Sequence, residues 1–251
     1  MVIHRPDYSQ LPAGRRVIFL ASGGRDSTAM VLEAHKVGIT NAIMAFNDTG
    51  LNRNGAVDVL NQLADITGYK LEIVKYDGDK RIKDILHNSF ERIPKVLQKQ
   101  KESGSYYKNY FYCCHELKHK PMENYIKTLD EKVVLVLGLK GSDGAKVRRF
   151  RMMELRQDHT FIRVHKKNNR MYYYPLRDCA NKDVAMILDE FGMNGIKSSG
   201  CRICPVFCIF PNMRKKDPLV WLRSATLARK MKIEFPLSDQ AQLSVFCSGV
   251  A

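Results

Sequence analysis

Six residues, Ser22-Gly23-Gly24-Arg25-Asp26-Ser27, stand between an apolar run, Val17-Ile18-Phe19-Leu20-Ala21, and a helix-like stretch that begins near Thr28. A strand, a glycine turn and a helix N-terminus in that order make a seat for phosphate oxygens. The glycines let the backbone turn its N–H groups inward, and the aligned peptide dipoles place roughly half a positive charge at the helix start. The loop is not a Walker loop, because no Gly-Lys-Ser/Thr follows at the required spacing, and it is not the Gly-x-Gly-x-x-Gly of dinucleotide sites. Ordinary βα turns are also rich in Gly and Ser. What favours a phosphate site is that strand, loop and helix all fall where one needs them.

The second chemical group is sulfur. Of seven cysteines, Cys113 and Cys114 are adjacent, Cys201 and Cys204 form a Cys-x-x-Cys, and Cys179, Cys208 and Cys247 remain. Neighbouring cysteines are poor zinc ligands together, whereas a tandem pair completed by a distant Cys-x-x-Cys supplies the four thiolates of a [4Fe–4S] cluster. Zinc, or packed cysteines with no metal, is the alternative. Cys208 is near enough to substitute as a ligand, and Cys179 reads as a small packed hydrophobe.

His115-Glu116-Leu117-Lys118-His119 spells the zinc-protease pattern His-Glu-x-x-His. Pro121 lies two residues beyond it and disturbs the hydrogen bonding of the turn that would hold the pair. The motif also abuts two cysteines that the cluster pattern claims, so Lys118 or Lys120 is better read as electrostatic support for a thiolate group.

These groups need a scaffold. A chain of 251 residues is long enough for one good core. It is expected to be a single domain over 1–251, with 195–251 a C-terminal cluster-binding helical extension. Strands are expected at Arg16–Ala21, Ala42–Asn47, Leu71–Lys75 and Val133–Leu137. Helices are expected at Thr28–Val37, Asn54–Thr67, His115–Leu129, Asn181–Phe191 and Leu219–Met231, with Asn181 as an N-cap and a short hairpin from Thr160–Val164 to Met171–Tyr174. This βαβα rhythm predicts an α/β fold, a Rossmann-like, mainly parallel sheet with helices on both faces. Ligands in such sheets sit beyond the carboxyl ends of the strands. The glycine loop, Asn47-Asp48-Thr49-Gly50 and Gly138-Leu139-Lys140-Gly141 all fall there.

Lys and Arg number 41 against 26 Asp and Glu, a formal charge of +15, in separate clusters. Such a balance favours an anionic partner, nucleic acid above all. The N-terminal residues lack a signal-peptide core and no apolar run reaches spanning length, so a cytoplasmic address is expected.

Ser-Gly-Gly-x-Asp-Ser resembles the pyrophosphate loop of the ATP pyrophosphatase (PP-loop) superfamily. Several ordered motifs resemble its phosphoadenylyl-sulfate and adenylyl-sulfate reductase branch: Asn47-Asp48-Thr49-Gly50, Cys113-Cys114 with its following Lys and Pro, Gly138 to Arg148 with Lys140 in place of an arginine, Tyr174-Pro175-Leu176, and Cys201-x-x-Cys204. The resemblance implies an adenine nucleotide α-hydrolase-like fold that splits ATP between its α and β phosphates. ATP phosphates would lie on Ser22, Gly23, Gly24, Arg25, Asp26 and Ser27, the adenine near Phe46, Asn47, Asp48 and Thr49, with Gly138 beside the nucleotide. Lys140, Arg148 and Arg149 would clamp the phosphates, Asp26 would shape the loop or support Mg²⁺, and Cys113, Cys114, Cys201 and Cys204 would hold the [4Fe–4S] cluster.

The reductases end in a Glu-Cys-Gly-Leu-His-like motif that carries their nucleophile. Here the tail reads Ser244-Val245-Phe246-Cys247-Ser248-Gly249-Val250-Ala251, with no histidine. That departure favours a related branch, the ATP pyrophosphatases of DNA phosphorothioation (Dnd or Ssp type) systems. Their expected partners are DNA, a cysteine desulfurase as sulfur donor, and other modification-system subunits in a defence setting. Tyr106, Tyr107, Tyr110 and Tyr112 are candidates to stack on bases or to pack around the cluster. The alternatives are a sulfonucleotide reductase using Cys247, a tRNA thiolation enzyme, and a nucleotide-sensing subunit without turnover.

Overall fold

In the computed structural model the described residues are 3–93, 95, 112–129, 133–142, 146–165, 170–197, 199–205, 215 and 217–232, with the side chains of 146–151 outside that description. Tyr106, Tyr107, Tyr110, Cys208 and Cys247 therefore lie outside the described residues. The chain divides into two compact units, one of residues 1–77 and 118–200, the other of residues 78–117 and 201–251.

The first unit holds a six-stranded sheet in the order β3-β2-β1-β4-β6-β5. Its strands are β1 (Arg16–Ala21), β2 (Ala42–Asp48), β3 (Lys70–Lys75), β4 (Val133–Val136), β5 (Ile162–Val164) and β6 (Met171–Tyr173). All neighbours run parallel except β5, which returns antiparallel along β6 as the expected hairpin. Burial on both faces explains the near-continuous apolar runs of β1, β2 and β4. Alternation sorts them. Val17, Phe19, Met44 and Phe46 face α1 (Arg25–Lys36), α2 (Ala56–Thr67) and α7 (Asn181–Glu190), while Ile18, Ile43, Ala45 and Leu135 pack with Ile126 of α5 (Lys120–Lys127). Helices thus cover both faces, as the sequence rhythm predicts. Edge strand β3 carries Lys70, Glu72 and Lys75, charges that discourage further pairing.

The second unit contains α3 (Ile82–Glu91), a single turn α4 (Tyr112–Cys114) and α8 (Pro218–Lys230). Asp217 caps α8 by accepting from the Val220 N–H at 3.2 Å, with Pro218 in the first turn, where a missing N–H is harmless.

Several expected boundaries are corrected. Helix α1 begins at Arg25 rather than Thr28, because Gly24 is extended (φ −105°, ψ 164°) and its carbonyl already accepts from the Thr28 N–H at 3.0 Å. The helix expected over His115–Leu129 opens with a π turn, His115–His119, and runs on without a gap as α5 from Lys120 to Lys127. Pro121 has no N–H for the carbonyl four residues back and its ring crowds it, and the wider turn absorbs the mismatch. The cap of α7 is Ala180, not Asn181. Its N–H donates to Asp183 at 2.7 Å, so the acid at the third position fastens the helix start. A further helix, α6 (Lys146–Gln157), was not expected; only its first residues overlap the Gly138 to Arg148 motif.

Arg177, between β6 and α7, is the brace of this end of the sheet. Its guanidinium donates to the carbonyls of Leu155 (3.1 Å) and Thr160 (2.7 Å), grips Asp178 (2.6 and 3.0 Å), and lies 3.7 Å from the Phe161 ring centre. Burial raises the Asp178 carboxyl, but hydrogen bonds from Arg177 and Arg156 outweigh it and hold the group below its usual value. A depressed carboxylate stabilises the fold above its unfolded pKa, and that contribution is lost as pH falls through the folded value. Arg177→Met is expected to cost on the order of 2–4 kcal/mol at neutral pH, since two carbonyls lose their donor. Denaturant unfolding at pH 7 and pH 3 checks this, with a smaller loss at the lower pH.

Candidate functional site

The loop from Ser22 to Ser27 leaves β1 at the point where strand order reverses between β2 and β4, the place where open α/β sheets bind ligands. Gly23 takes φ +65°, a conformation that L side chains resist, and a Cβ there would lie 2.4 Å from the Ala56 carbonyl oxygen. A Cβ on Gly24 would meet the Ser199 nitrogen at 2.5 Å. The loop is therefore wedged between the start of α2 and the Ser199 backbone, with no room for a side chain at either glycine. Hydroxyls complete its inner wall. Ser27 Oγ donates to the Gly24 carbonyl and accepts from the Ser22 N–H at 3.2 Å, and the Ser22 and Ser27 hydroxyls stand 3.0 Å apart.

Beyond β4, Gly138 abuts this loop: a Cβ there would be 3.2 Å from the Ser27 nitrogen. Two residues on, Lys140 is 3% exposed and its Nζ donates to Asp26 Oδ2 at 2.5 Å. The Gly141 N–H is held by the Arg177 carbonyl at 3.1 Å, so the brace described above also fixes the lysine's loop. Sequence-predicted Ser22, Gly23, Gly24, Asp26, Ser27, Gly138 and Lys140 thus converge. Arg25 opens α1 as its first residue. Arg148 and Arg149 lie in the first turn of α6, and their side chains are outside the described residues.

At the carboxyl end of β2, the Phe46 ring is buried in the core beside Phe19 and Met44, which leaves only its backbone for a ligand. The following loop is knitted by its own side chains. Asn52 accepts from the Thr49 N–H and hydroxyl (both 2.7 Å) and donates to the Asn47 carbonyl, while Asp48 accepts from the Gly50 N–H at 2.9 Å. Sequence reasoning missed Arg53 and Ser199. The Arg53 N–H donates to the Gly200 carbonyl at 3.1 Å, and Ser199 closes over Gly24. The only signal was Gly200 itself, a small residue ahead of Cys201.

All four cluster candidates belong to the second unit, where Cys113 is buried and Cys114, Cys201 and Cys204 are partly exposed, all as free thiols. Ser89 of α3 accepts from the Cys113 N–H at 2.6 Å, and Ser224 of α8 accepts from the Cys204 N–H at 2.8 Å. A hydrogen bond from Cys114, helped by Ser89, lowers the Cys113 thiol, whereas burial and the charges of Cys204 and Cys201 raise it. Cys113 thus interacts with each of the other three thiols. Among the described residues no three His, Cys, Asp or Glu side chains are drawn close enough to hold a metal ion as they stand. That includes the His-Glu-x-x-His segment, where His115 Nδ1 instead pairs with Glu116 at 3.1 Å. Tyr112, beside the thiols, is covered by Arg92 at 4.4 Å and bonded by Lys80 at 2.6 Å. Cys179 packs in the core, and burial pushes its thiol up to about 12. No helix among the described residues is long and apolar enough to cross a membrane.

Fold and loop define a mainly parallel α/β protein with a glycine loop at its switch point. No protein-family model matches the chain, and no curated protein sequence matches it. Solved structures to which it is similar include a phosphoadenylyl-sulfate (PAPS) reductase from Candida auris in its phosphate complex, at 15% identity over 75% of this chain and 76% of that one, TM-score 0.47. Another is the U34-tRNA thiolase NcsA from Methanococcus maripaludis with its [4Fe-4S] cluster, at 15% identity over 98% and 84% of the chains, TM-score 0.43. A third, from Methanocaldococcus jannaschii, is described as a predicted subunit of tRNA methyltransferase, at 17% identity over 71% and 88%, TM-score 0.36.

Proposed function

We propose that this protein is an ATP pyrophosphatase that adenylates a DNA backbone phosphate for sulfur insertion, working with a cysteine desulfurase. The observation that carries the reading is the meeting of a glycine loop, two facing hydroxyls and a buried Lys140 paired with Asp26 at one end of the sheet. In the proposed site ATP phosphates lie against the N–H groups of Gly24 to Ser27, with the α1 dipole behind them. Lys140 meets the charge that develops as the bond between the α and β phosphates breaks. Asp26, which already takes Lys140, is the oxygen ligand that the loop offers to Mg²⁺; when bound, the ion neutralises the leaving pyrophosphate.

A non-bridging DNA phosphate oxygen attacks the α-phosphorus, a P–O bond forms and pyrophosphate departs. The terminal sulfur of a persulfide then displaces AMP from the DNA phosphorus, and a second thiol takes the remaining S–S bond as a disulfide, leaving a phosphorothioate. The charge of +15 and the motif resemblance support a nucleic-acid substrate. Cys113, Cys114, Cys201 and Cys204 are the residues that would hold a [4Fe–4S] cluster, which when bound supplies a redox-capable centre. Cys201→Ser is expected to remove the brown colour and visible absorption of anaerobically prepared protein; stoichiometric zinc without iron in the wild type would defeat the assignment.

The test of the whole reading is anaerobic incubation with ATP, Mg²⁺, DNA and a persulfide-loaded desulfurase, followed by nuclease digestion and mass spectrometry. Phosphorothioate dinucleotides are expected. Parallel tubes with tRNA, scored for thiolated bases, and with adenylyl sulfate and reduced thioredoxin, scored for sulfite, report the two alternatives. Product in either of these alone overturns the DNA reading.

A further inference from the structure

Asn47 is 8% exposed, and neither its Nδ2 nor its Oδ1 has a hydrogen-bond partner among the described residues. Burying a primary amide without partners costs free energy that an apolar residue of similar size would avoid. The neighbours make the contrast sharper. Asp48, Thr49 and Asn52 all spend their side chains on the loop's own backbone and on one another, so the loop is set without help from the Asn47 amide. The strand register pairs Ala21 with Phe46, which puts Asn47 level with the point where β1 gives way to the phosphate loop. Alternation places it on the sheet face of Ile43 and Ala45, opposite to that of Phe46.

We propose that Asn47 is the specificity-determining residue for the base, its amide donor and acceptor pairing with the exocyclic amine and an adjacent ring nitrogen of adenine. This rests on the ATP reading above and goes beyond it by assigning base selection to one side chain. The chemistry is matched. Adenine offers a donor at N6 beside a ring-nitrogen acceptor, and an amide presents the complementary acceptor and donor. A purine without the 6-amino group leaves Oδ1 buried and unpaired, which is what makes such a site reject it.

The test measures binding of ATP and of purine riboside triphosphate, which lacks the 6-amino group, to wild type, Asn47→Ala and Asn47→Leu. Wild type is expected to prefer ATP by roughly ten- to a hundredfold. Both variants are expected to bring the ratio close to one through weaker ATP binding. Asn47→Leu is also expected to melt no lower than wild type, since it removes an unpaired buried amide. An unchanged ratio in a folded variant overturns the assignment while leaving the ATP reading intact. Wild type that binds neither nucleotide overturns the ATP reading, and this inference with it.

Discussion

Lys140→Met is expected to lower AMP formation from ATP by about 10²–10³-fold while the protein still folds, on the scale of removing one preorganised charge from a developing oxyanion. The lysine is almost wholly buried and held at 2.5 Å by Asp26, so its ammonium is fixed before any ligand arrives. Methionine keeps the stem and removes the charge. The Asp26 side chain is 34% exposed, so water can take up its released oxygen, and the loss of stability should stay modest. Lys140→Arg should recover only part of the activity, because a planar fork does not fit a buried site shaped for a point charge. Product analysis on the three proteins, with denaturant unfolding in parallel, checks both halves. Full turnover by a folded Lys140→Met protein would remove the residue from the mechanism.

Gly23→Ala is expected to abolish nucleotide binding and to destabilise the first unit by roughly 2–4 kcal/mol. Two separate costs add. A left-handed backbone at φ +65° costs an L residue about 1–2 kcal/mol, and the new methyl meets the Ala56 carbonyl oxygen at 2.4 Å, a backbone atom that must move. Gly38→Ala separates them. Gly38 also has a left-handed φ, +84°, but open space around it, so only the conformational cost applies and binding should survive. Calorimetric titration with ATP and thermal melts on both variants distinguish collapse of the phosphate seat from general strain.

Much of the framework was legible because it rests on periodicity. The apolar runs of β1, β2 and β4 are buried on both faces, and a run that must be apolar throughout reads plainly. The phosphate seat was legible because its glycines and serines are needed by the backbone itself. What failed to read depended on partners distant in sequence. Helix α6 was missed because basic residues crowd the stretch and blur the i, i+3 pair Met152 and Leu155 that the fold buries. The cap of α7 passed to Ala180 because Asp183 reaches back to its N–H, a role set by geometry rather than residue type. Arg53 and Ser199 escaped notice because the wedge around Gly24 exists only once the chain returns past residue 198. The Lys140–Asp26 pair joins the loops after two adjacent parallel strands, and no local pattern announces such a contact.

The most direct measurement is to incubate the protein with ATP and Mg²⁺ under anaerobic conditions, with DNA and a desulfurase present, and to separate the nucleotide products. AMP and pyrophosphate in equal amounts are expected, falling to background in Asp26→Ala and Ser27→Ala proteins that still fold. ADP and phosphate, or AMP formation undiminished in those variants, would contradict the site.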